Sequence, residues 1–481
     1  MNYYELLRLG APEAILVGAT LVVLALGLLK VRAAGLCCGV AAAGILFSAS
    51  SVLLLPAHAS LFNGMLVITP LSSLFKIICL ALAFFTAVLA RHLSTPHRGE
   101  YLALLLLATV GLMLLVSSEE LLVIFIGLEL TGLSLYVMTA FDKNDVRSAE
   151  AGLKYFLFGS TASAFTLFGI SLVYGMTGTT SLAAIASKLE MMTPLLATGV
   201  VMTLTGFAFK IAAAPFHLWA PDTYQGAPPS SAAFIASGSK VASFVVLGKI
   251  VLIGFAPLHG AADWKGLVAG WGPLLAILAA LSILLGNLVA LAQTNVRRLL
   301  AYSAVAHAGY TLLGLIAGGR EGFGATLFYT TIYAFTLIGA FGVLAVVRRE
   351  TGGDDFTHFA GLRRRSPWLA GCMLIFMLSL AGIPPLAGFF GKFYLFSAAL
   401  HAGGNYGLLW LVALALLGSL ISFYYYLLVL KVIFVDNTAT DLPALKLDLV
   451  HRGAVTVLAL LVLYFGLFPG GLVWKITSSL P

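Results

Sequence analysis

About fourteen apolar stretches, each near the roughly 20 residues that a lipid-spanning helix requires, run through this chain with only short polar connections between them. In hydrocarbon every backbone N–H and C=O must find its partner within the protein, so stretches of this kind fold as membrane-spanning helices. With 60% hydrophobic and 10% charged residues over 481 positions, a soluble globular core is excluded. The expected architecture is an all-α integral membrane protein. Its spans fall near 12-30, 34-55, 68-90, 101-117, 120-141, 151-175, 194-217, 229-253, 272-292, 299-317, 324-347, 367-397, 407-433 and 452-473.

Cytoplasmic loops carry the excess of Lys and Arg. Connections after odd-numbered spans hold Lys30, Arg32, Arg91, Arg98, Lys143, Arg147, Arg297, Arg298, Arg348, Arg349, Arg363, Arg364, Arg365, Lys431, Lys446 and Arg452, against Arg8, Lys188, Lys265, Arg320 and Lys475 on the other side. That asymmetry supports the span assignment and predicts both termini on the non-cytoplasmic side. It also accounts for the net charge of +8, which is spread over separate loops and does not mark a nucleic-acid surface. Glu5 and Glu13 precede the first apolar run, which reads as a retained span rather than a cleaved leader. Cys37, Cys38, Cys79 and Cys372 lack metal-ligand spacing and read as packing residues. The chain has no Gly-rich nucleotide motif and no cysteine cluster for iron and sulfur.

Against this background seven charges stand out within apolar stretches: Lys76, Lys154, Lys210, Lys240, Lys249, Lys392 and Glu129. A charge at the centre of a spanning helix costs from about 2.5 to well over 10 kcal/mol, so such residues are read first as functional. Glu129 lies roughly 13 Å into span five by helical rise, and Lys240 is similarly deep in span eight. Burial favours the neutral form of each group and mutual proximity favours the ions, which is the balance a proton relay requires. A static ion pair that fixes helix packing is the competing reading. His307, in the middle of span ten, can both accept and donate a proton, and it too could be a merely hydrogen-bonded core residue. Lys154 and Lys249 lie near span ends, where snorkelling competes with function. Lys76 has no partner recognisable from the sequence.

Two segments break the helical pattern, five spans apart. The first runs Phe209-Lys210-Ile211-Ala212-Ala213-Ala214-Pro215-Phe216-His217, and the second contains Gly382, Pro384, Pro385, Gly388, Gly391 and Lys392. Proline removes a donor and displaces the carbonyl four residues earlier, which for Pro215 is that of Ile211, next to Lys210. Exposed backbone at membrane depth survives only when enclosed in protein or lining a wet cavity. Paired interrupted helices point to an ion path. Span twelve, 367-397, is therefore expected to be one crossing made of two half-helices. His217, at the end of the first break, either links the path to the cytoplasmic side or caps a helix end.

The run FKIAAAPFHLWAPDTYQGAPP that begins at Phe209, together with Arg298-Leu299-Leu300-Ala301-Tyr302-Ser303, His307-Ala308-Gly309-Tyr310 and Gly388-Phe389-Phe390-Gly391-Lys392-Phe393, closely resembles the antiporter-like membrane subunits of respiratory complex I. The match extends over most of the chain. Within that family it is nearest the N-type subunits of bacterial NADH:quinone oxidoreductase. Span twelve carries Lys392 where M-type subunits have a glutamate, and the chain stops after span fourteen without the lateral helix of L-type subunits. The resemblance implies two inverted five-helix repeats, spans 4-8 (101-253) and 9-13 (272-433), between N-terminal helices (1-100) and a C-terminal helix (452-481), with helices 7 and 12 broken.

It also implies a proton relay of Glu129, Lys210, Lys240 and Lys392, linked by Lys154 and His307. Span ten has no counterpart of Glu129, so the two repeats are not strictly symmetric. NAD, FMN, Fe-S clusters and quinone are expected on partner subunits, with no cofactor or metal on this chain. The expected neighbours are M-type and small membrane subunits in the bacterial inner membrane. The rival readings are an Mrp-type cation/proton antiporter subunit and a structural membrane scaffold.

Overall fold

A computed structural model describes residues 3–29, 34–93, 95–189, 191–402, 406–436 and 448–480; Lys30, Arg32 and Lys446 of the charge tally lie outside the described residues. The N-terminal group comprises α1 (Tyr3–Leu9), α2 (Ala11–Leu28), α3 (Ala34–Leu53) and α4 (Pro70–Leu89). The first large group follows as α5 (Arg98–Ser117), α6 (Leu121–Thr139), α7 (Val146–Thr177), α8 (Leu182–Lys188), α9 (Pro194–Lys210), α10 (Trp219–Gly226), α11 (Pro229–Phe234) and α12 (Lys240–Lys249). The second comprises α13 (Trp271–Leu291), α14 (Val296–Ala317), α15 (Gly319–Thr351), α16 (Phe356–Phe359), α17 (Leu362–Arg365), α18 (Pro367–Ala381), α19 (Ala387–His401) and α20 (Leu409–Phe434). α21 (Leu449–Leu467) and α22 (Pro469–Ser479) close the chain.

Among the described residues twelve helices are long and apolar enough to cross a membrane, and the shorter apolar helices α9 and α18 begin the two broken crossings. Twelve and two make the fourteen crossings expected. Helix starts follow local chemistry. The side chains of Glu120, Asp145, Thr193, Asn295 and Ser366 each accept a hydrogen bond from the backbone of the first turn they precede, and Thr69 with Ser72 forms a reciprocal capping box on α4.

Three details differ from the sequence-based spans. The crossing expected at 194-217 ends as a helix at Lys210 and resumes as α10, which extends to Gly226. The span expected at 452-473 divides at Phe468 into α21 and α22, with Pro469 opening the second helix, where its fixed φ is accommodated. Two connections fold as small antiparallel hairpins, β1 (Ala59–Leu61) with β2 (Leu66–Ile68) and β3 (Ala261–Asp263) with β4 (Gly266–Val268).

The two large groups share a pattern. In each, the third crossing is the longest, 32 residues in α7 and 33 in α15, and the fourth is broken. The helices are not buried equally. In the segment Pro229–Gly254, α14 and α15, 94% of the spanning residues are enclosed, against about a third in α2, α3, α7 and α21. The centre of the molecule is thus the seam where α12 of the first group meets α14 and α15 of the second.

Candidate functional site: a row of buried charges

Lys210 is the last residue of α9. The helix stops there because Ala212 takes a left-handed conformation, φ +57°, and Ala213 N turns back to the Ala208 carbonyl at 2.8 Å. The freed backbone is enclosed in protein. Trp219 Nε1 donates to the Phe209 carbonyl at 3.0 Å, and Ala214 N donates to Ser282 Oγ of α13 at 2.8 Å. Lys210 Nζ finds no hydrogen-bond partner among the described residues. It lies 5.3 Å from the centre of the Tyr136 ring, a cation–π contact. Gly132 makes room for it, since a β-carbon at that position would come within 2.8 Å of Nζ.

Glu129 is one turn from Gly132 on α6 and accepts a short hydrogen bond from Ser163 Oγ of α7. Glu129, Ser163 and Lys210 all border one small cavity of about 10 Å³, near the volume that a single water needs. The carboxylate and the ammonium are therefore neighbours without being a closed salt bridge. Glu129 is associated with Lys210 rather than with Lys240.

Lys240 begins α12 immediately after a π-helical turn, Ile235–Ser239, and a second such turn, Ile250–Gly254, follows its end. Turns of this kind are rare and recur at functional sites. Lys240 Nζ donates to the Ala304 carbonyl of α14 at 2.6 Å and lies 5.6 Å from the Tyr333 ring centre. One turn beyond Ala304, His307 is held by two phenols, with Nδ1 2.6 Å from Tyr329 Oη and Nε2 3.0 Å from Tyr426 Oη. Tyr426 is in turn tied to Ser303 by a short hydrogen bond.

Beyond His307 the row reaches the second break. Lys392 Nζ donates to Ser419 Oγ at 2.9 Å and to the Ala381 carbonyl, the last residue of α18, at 3.1 Å. The Tyr310 ring centre is 5.3 Å from the same ammonium, and Tyr310 Oη accepts from Asn287 Nδ2 at 2.8 Å. Lys240 and His307 thus meet at one turn of α14, and the Tyr310 ring stands between His307, 5.7 Å from that imidazole, and Lys392, while Glu129 and Lys210 form a cluster of their own at the first break.

The other expected site residues occupy different surroundings. Lys154 bridges Glu150 Oε1 at 2.6 Å and Asp222 Oδ2 at 2.7 Å, while Arg298 Nη1 grips the second oxygen of Asp222 at 2.7 Å. This half-exposed network ties α7 and α10 to the start of α14. His217 is buried within the first break, its ring 6.3 Å from that of Tyr302, with Nδ1 unpartnered among the described residues. Lys249 does not snorkel. It is 1% exposed and donates to the Val116 carbonyl at 3.0 Å. Lys76, for which the sequence offered no partner, pairs with Glu13 at 2.8 Å.

The sequence reading missed Tyr310, Tyr329, Tyr333, Tyr426 and Ser419. Tyr329 and Tyr333, four residues apart in span eleven, share a helix face. That spacing, with the Tyr424-Tyr425-Tyr426 run in span thirteen, is the signal that could have found them.

Residues 118–422 match the family described as NADH:quinone oxidoreductase/Mrp antiporter, TM. NADH-quinone oxidoreductase subunit N 2 of Acidobacterium capsulatum is 48% identical over 485 residues, covering 98% of each chain. A chain of respiratory complex I from Thermus thermophilus superposes with a TM-score of 0.82 at 33% identity, over 97% of this chain and all of the other. A chain of the Mrp complex from Dietzia sp. DQ12-45-1b shares the fold, with a TM-score of 0.82 at 21% identity over 98% of this chain and 95% of that one. No cluster of three or more His, Cys, Asp or Glu side chains able to hold a metal occurs among the described residues. The chain belongs to the NADH:quinone oxidoreductase/Mrp antiporter membrane family, and within it to the subunit N group of NADH-quinone oxidoreductases.

Proposed function

We propose that this chain is a proton-translocating membrane subunit of an NADH:quinone oxidoreductase, and that protons move along Glu129, Lys210, Lys240, His307 and Lys392. The observation that carries the reading is the placement of His307, held between Tyr329 and Tyr426 one turn from the Ala304 carbonyl that accepts from Lys240, in the most enclosed part of the molecule. A scaffold has no need of three costly ammonium groups at membrane depth. Lys210 and Glu129 receive the coupling signal. A positive charge arriving at Lys240 repels one at His307 or Lys392, and the phenols of Tyr329 and Tyr426, each both donor and acceptor, carry the proton across.

Uptake is from the side bearing a cavity of about 460 Å³ bordered by His92, Asp142, Arg348 and Ser230. Lys154 and His217 feed the path from that side, which the charge asymmetry makes cytoplasmic. Both chain ends then face away from the cytoplasm, in a bacterial inner membrane. Residues 101–253 and 272–433 act as the two half-units, flanked by 1–100 and 452–481. NAD, FMN, Fe-S clusters and quinone belong to partner subunits, and this chain carries no electrons. Its neighbours are M-type and small membrane subunits. Moving one charge against the potential costs about 2.3 kcal/mol per 100 mV, so the driving energy comes from redox chemistry elsewhere in the complex.

The test is Glu129→Gln in the assembled complex, reconstituted in vesicles. Redox-driven proton uptake is expected to collapse while the complex stays intact. Unchanged uptake would leave only a scaffold. Because the fold is shared with an Mrp complex, pumping sustained by a Na⁺ or K⁺ gradient without NADH oxidation would favour the antiporter instead.

A further inference from the structure

Two buried lysines take no part in that path, and they lie together. Lys249 Nζ donates to the Val116 carbonyl at 3.0 Å and the Ser118 carbonyl at 3.5 Å, and lies 3.4 Å from Glu119 Oε1. Lys76, paired with Glu13, is near enough for the two ammonium groups to repel each other. Glu119 and Lys76 are the charged groups that act on Lys249. Beside them a cavity of about 230 Å³ is bordered by Glu13, Lys76 and Ser117. Lys249 is 1% exposed, whereas the Glu119 side chain is 32% exposed. The pair therefore joins the interior to the surface.

The geometry is that of a group that can lose a proton without moving. An ammonium has three protons to donate. The Val116 carbonyl accepts one at 3.0 Å, and the Ser118 carbonyl at 3.5 Å and Glu119 Oε1 at 3.4 Å stand near for the other two, so a neutral amine with two protons keeps the Val116 bond and its place.

We propose that Lys249 and Glu119 form an outlet by which protons leave the chain. The proposal rests on the relay reading above, since Lys240 begins the same helix about 13 Å away by helical rise, on the opposite face, where it meets α14 while Lys249 meets the end of α5. The Lys249 ammonium gives its third proton to Glu119 Oε1, leaving a neutral amine and a neutral carboxylic acid. Glu119 passes that proton to bulk water and becomes a carboxylate again, and Lys249 regains a proton from the relay through water. Lys76 adds positive charge next to Lys249 and favours release.

Lys249→Arg separates the outlet from a mere clamp. Arginine keeps the charge but does not deprotonate in proteins. In the intact complex in vesicles, Lys249→Arg is expected to lower proton transport per NADH oxidised several-fold. Wild-type transport in that variant overturns the proposal. Should Lys249→Arg fail to assemble, Glu119→Gln decides on the same readout: a several-fold loss supports the outlet and no loss rejects it. Lys240→Met is measured alongside. Transport lost in Lys240→Met but retained in Lys249→Arg overturns the outlet alone, while transport retained in both also overturns the relay.

Discussion

The two broken crossings solve one problem with different chemistry. Each brings a lysine to the carbonyl end of a half-helix, where the helix dipole favours a cation. In the second break Lys392 reaches back across the gap to the Ala381 carbonyl and is held by Ser419. In the first, Lys210 is itself the end of the half-helix and has only an aromatic face and a water-sized cavity shared with Glu129. Lys392 is anchored by hydrogen bonds, whereas Lys210 is poised against a neighbouring charge. A group poised in this way responds most strongly when that neighbour moves, which suits the first break to receive a signal and the second to hold a proton.

Exchange of each lysine for arginine should break the comparison most sharply. The Lys210 site has a cavity of about 10 Å³, too little for a guanidinium, and each unmet buried donor costs about 1–3 kcal/mol. Lys210→Arg is expected to abolish pumping or assembly. Lys392→Arg, with Ser419 and a carbonyl at hand, should lose less, as read by proton uptake in vesicles and by native gel. Equal losses would remove the distinction between the two breaks.

Tyr426→Phe comes next. It takes a partner from His307 Nε2 and from Ser303, a loss of about 1 kcal/mol, so pumping should slow roughly fivefold with quinone reduction retained under an uncoupler. Gly132→Ala is a finer probe of the first break. The added methyl would meet Lys210 Nζ at 2.8 Å and the Tyr136 hydroxyl at 3.1 Å, so pumping should fall because the ammonium is displaced, with a smaller loss of thermal stability from crowding the phenol.

The backbone at the two breaks is tested by stability rather than by pumping. Gly382 has φ +86°, and a β-carbon there would meet Lys392 Cδ at 3.0 Å. Gly382→Ala should therefore destabilise by about 1–2 kcal/mol. Ala212 already bears a left-handed conformation, and Ala212→Gly should stabilise by no more than about 1 kcal/mol. Melting temperatures of the purified complex check both signs.

Most of the fold was legible because the bilayer allows few solutions, and apolar length, loop charge and prolines beside lysines locate spans and breaks. The site was legible only where a charge interrupts an apolar run. Glu13 could not be matched to Lys76 because the pairing depends on how α2 and α4 approach each other. The tyrosines around His307 escaped because a tyrosine in a spanning helix reads equally as an interfacial anchor. The Lys249 site was obscured for the same reason. A lysine near a helix end looks free to reach water, and only the packing of α12 against the end of α5 shows that it does not.

The π turn before Lys240 can be regarded as one extra residue inserted into an α-helix. The extra residue is absorbed within the turn, so the helix on either side keeps its register and Lys240 keeps the face that meets Ala304. Removing one residue between Ile235 and Ser239 would close the turn to ordinary α-helix with Lys240 still directed at Ala304, whereas a deletion within the α-helical stretch that follows would rotate everything beyond it by about 100°. Tolerance to a change of length along this crossing is therefore concentrated at the turn that precedes the lysine.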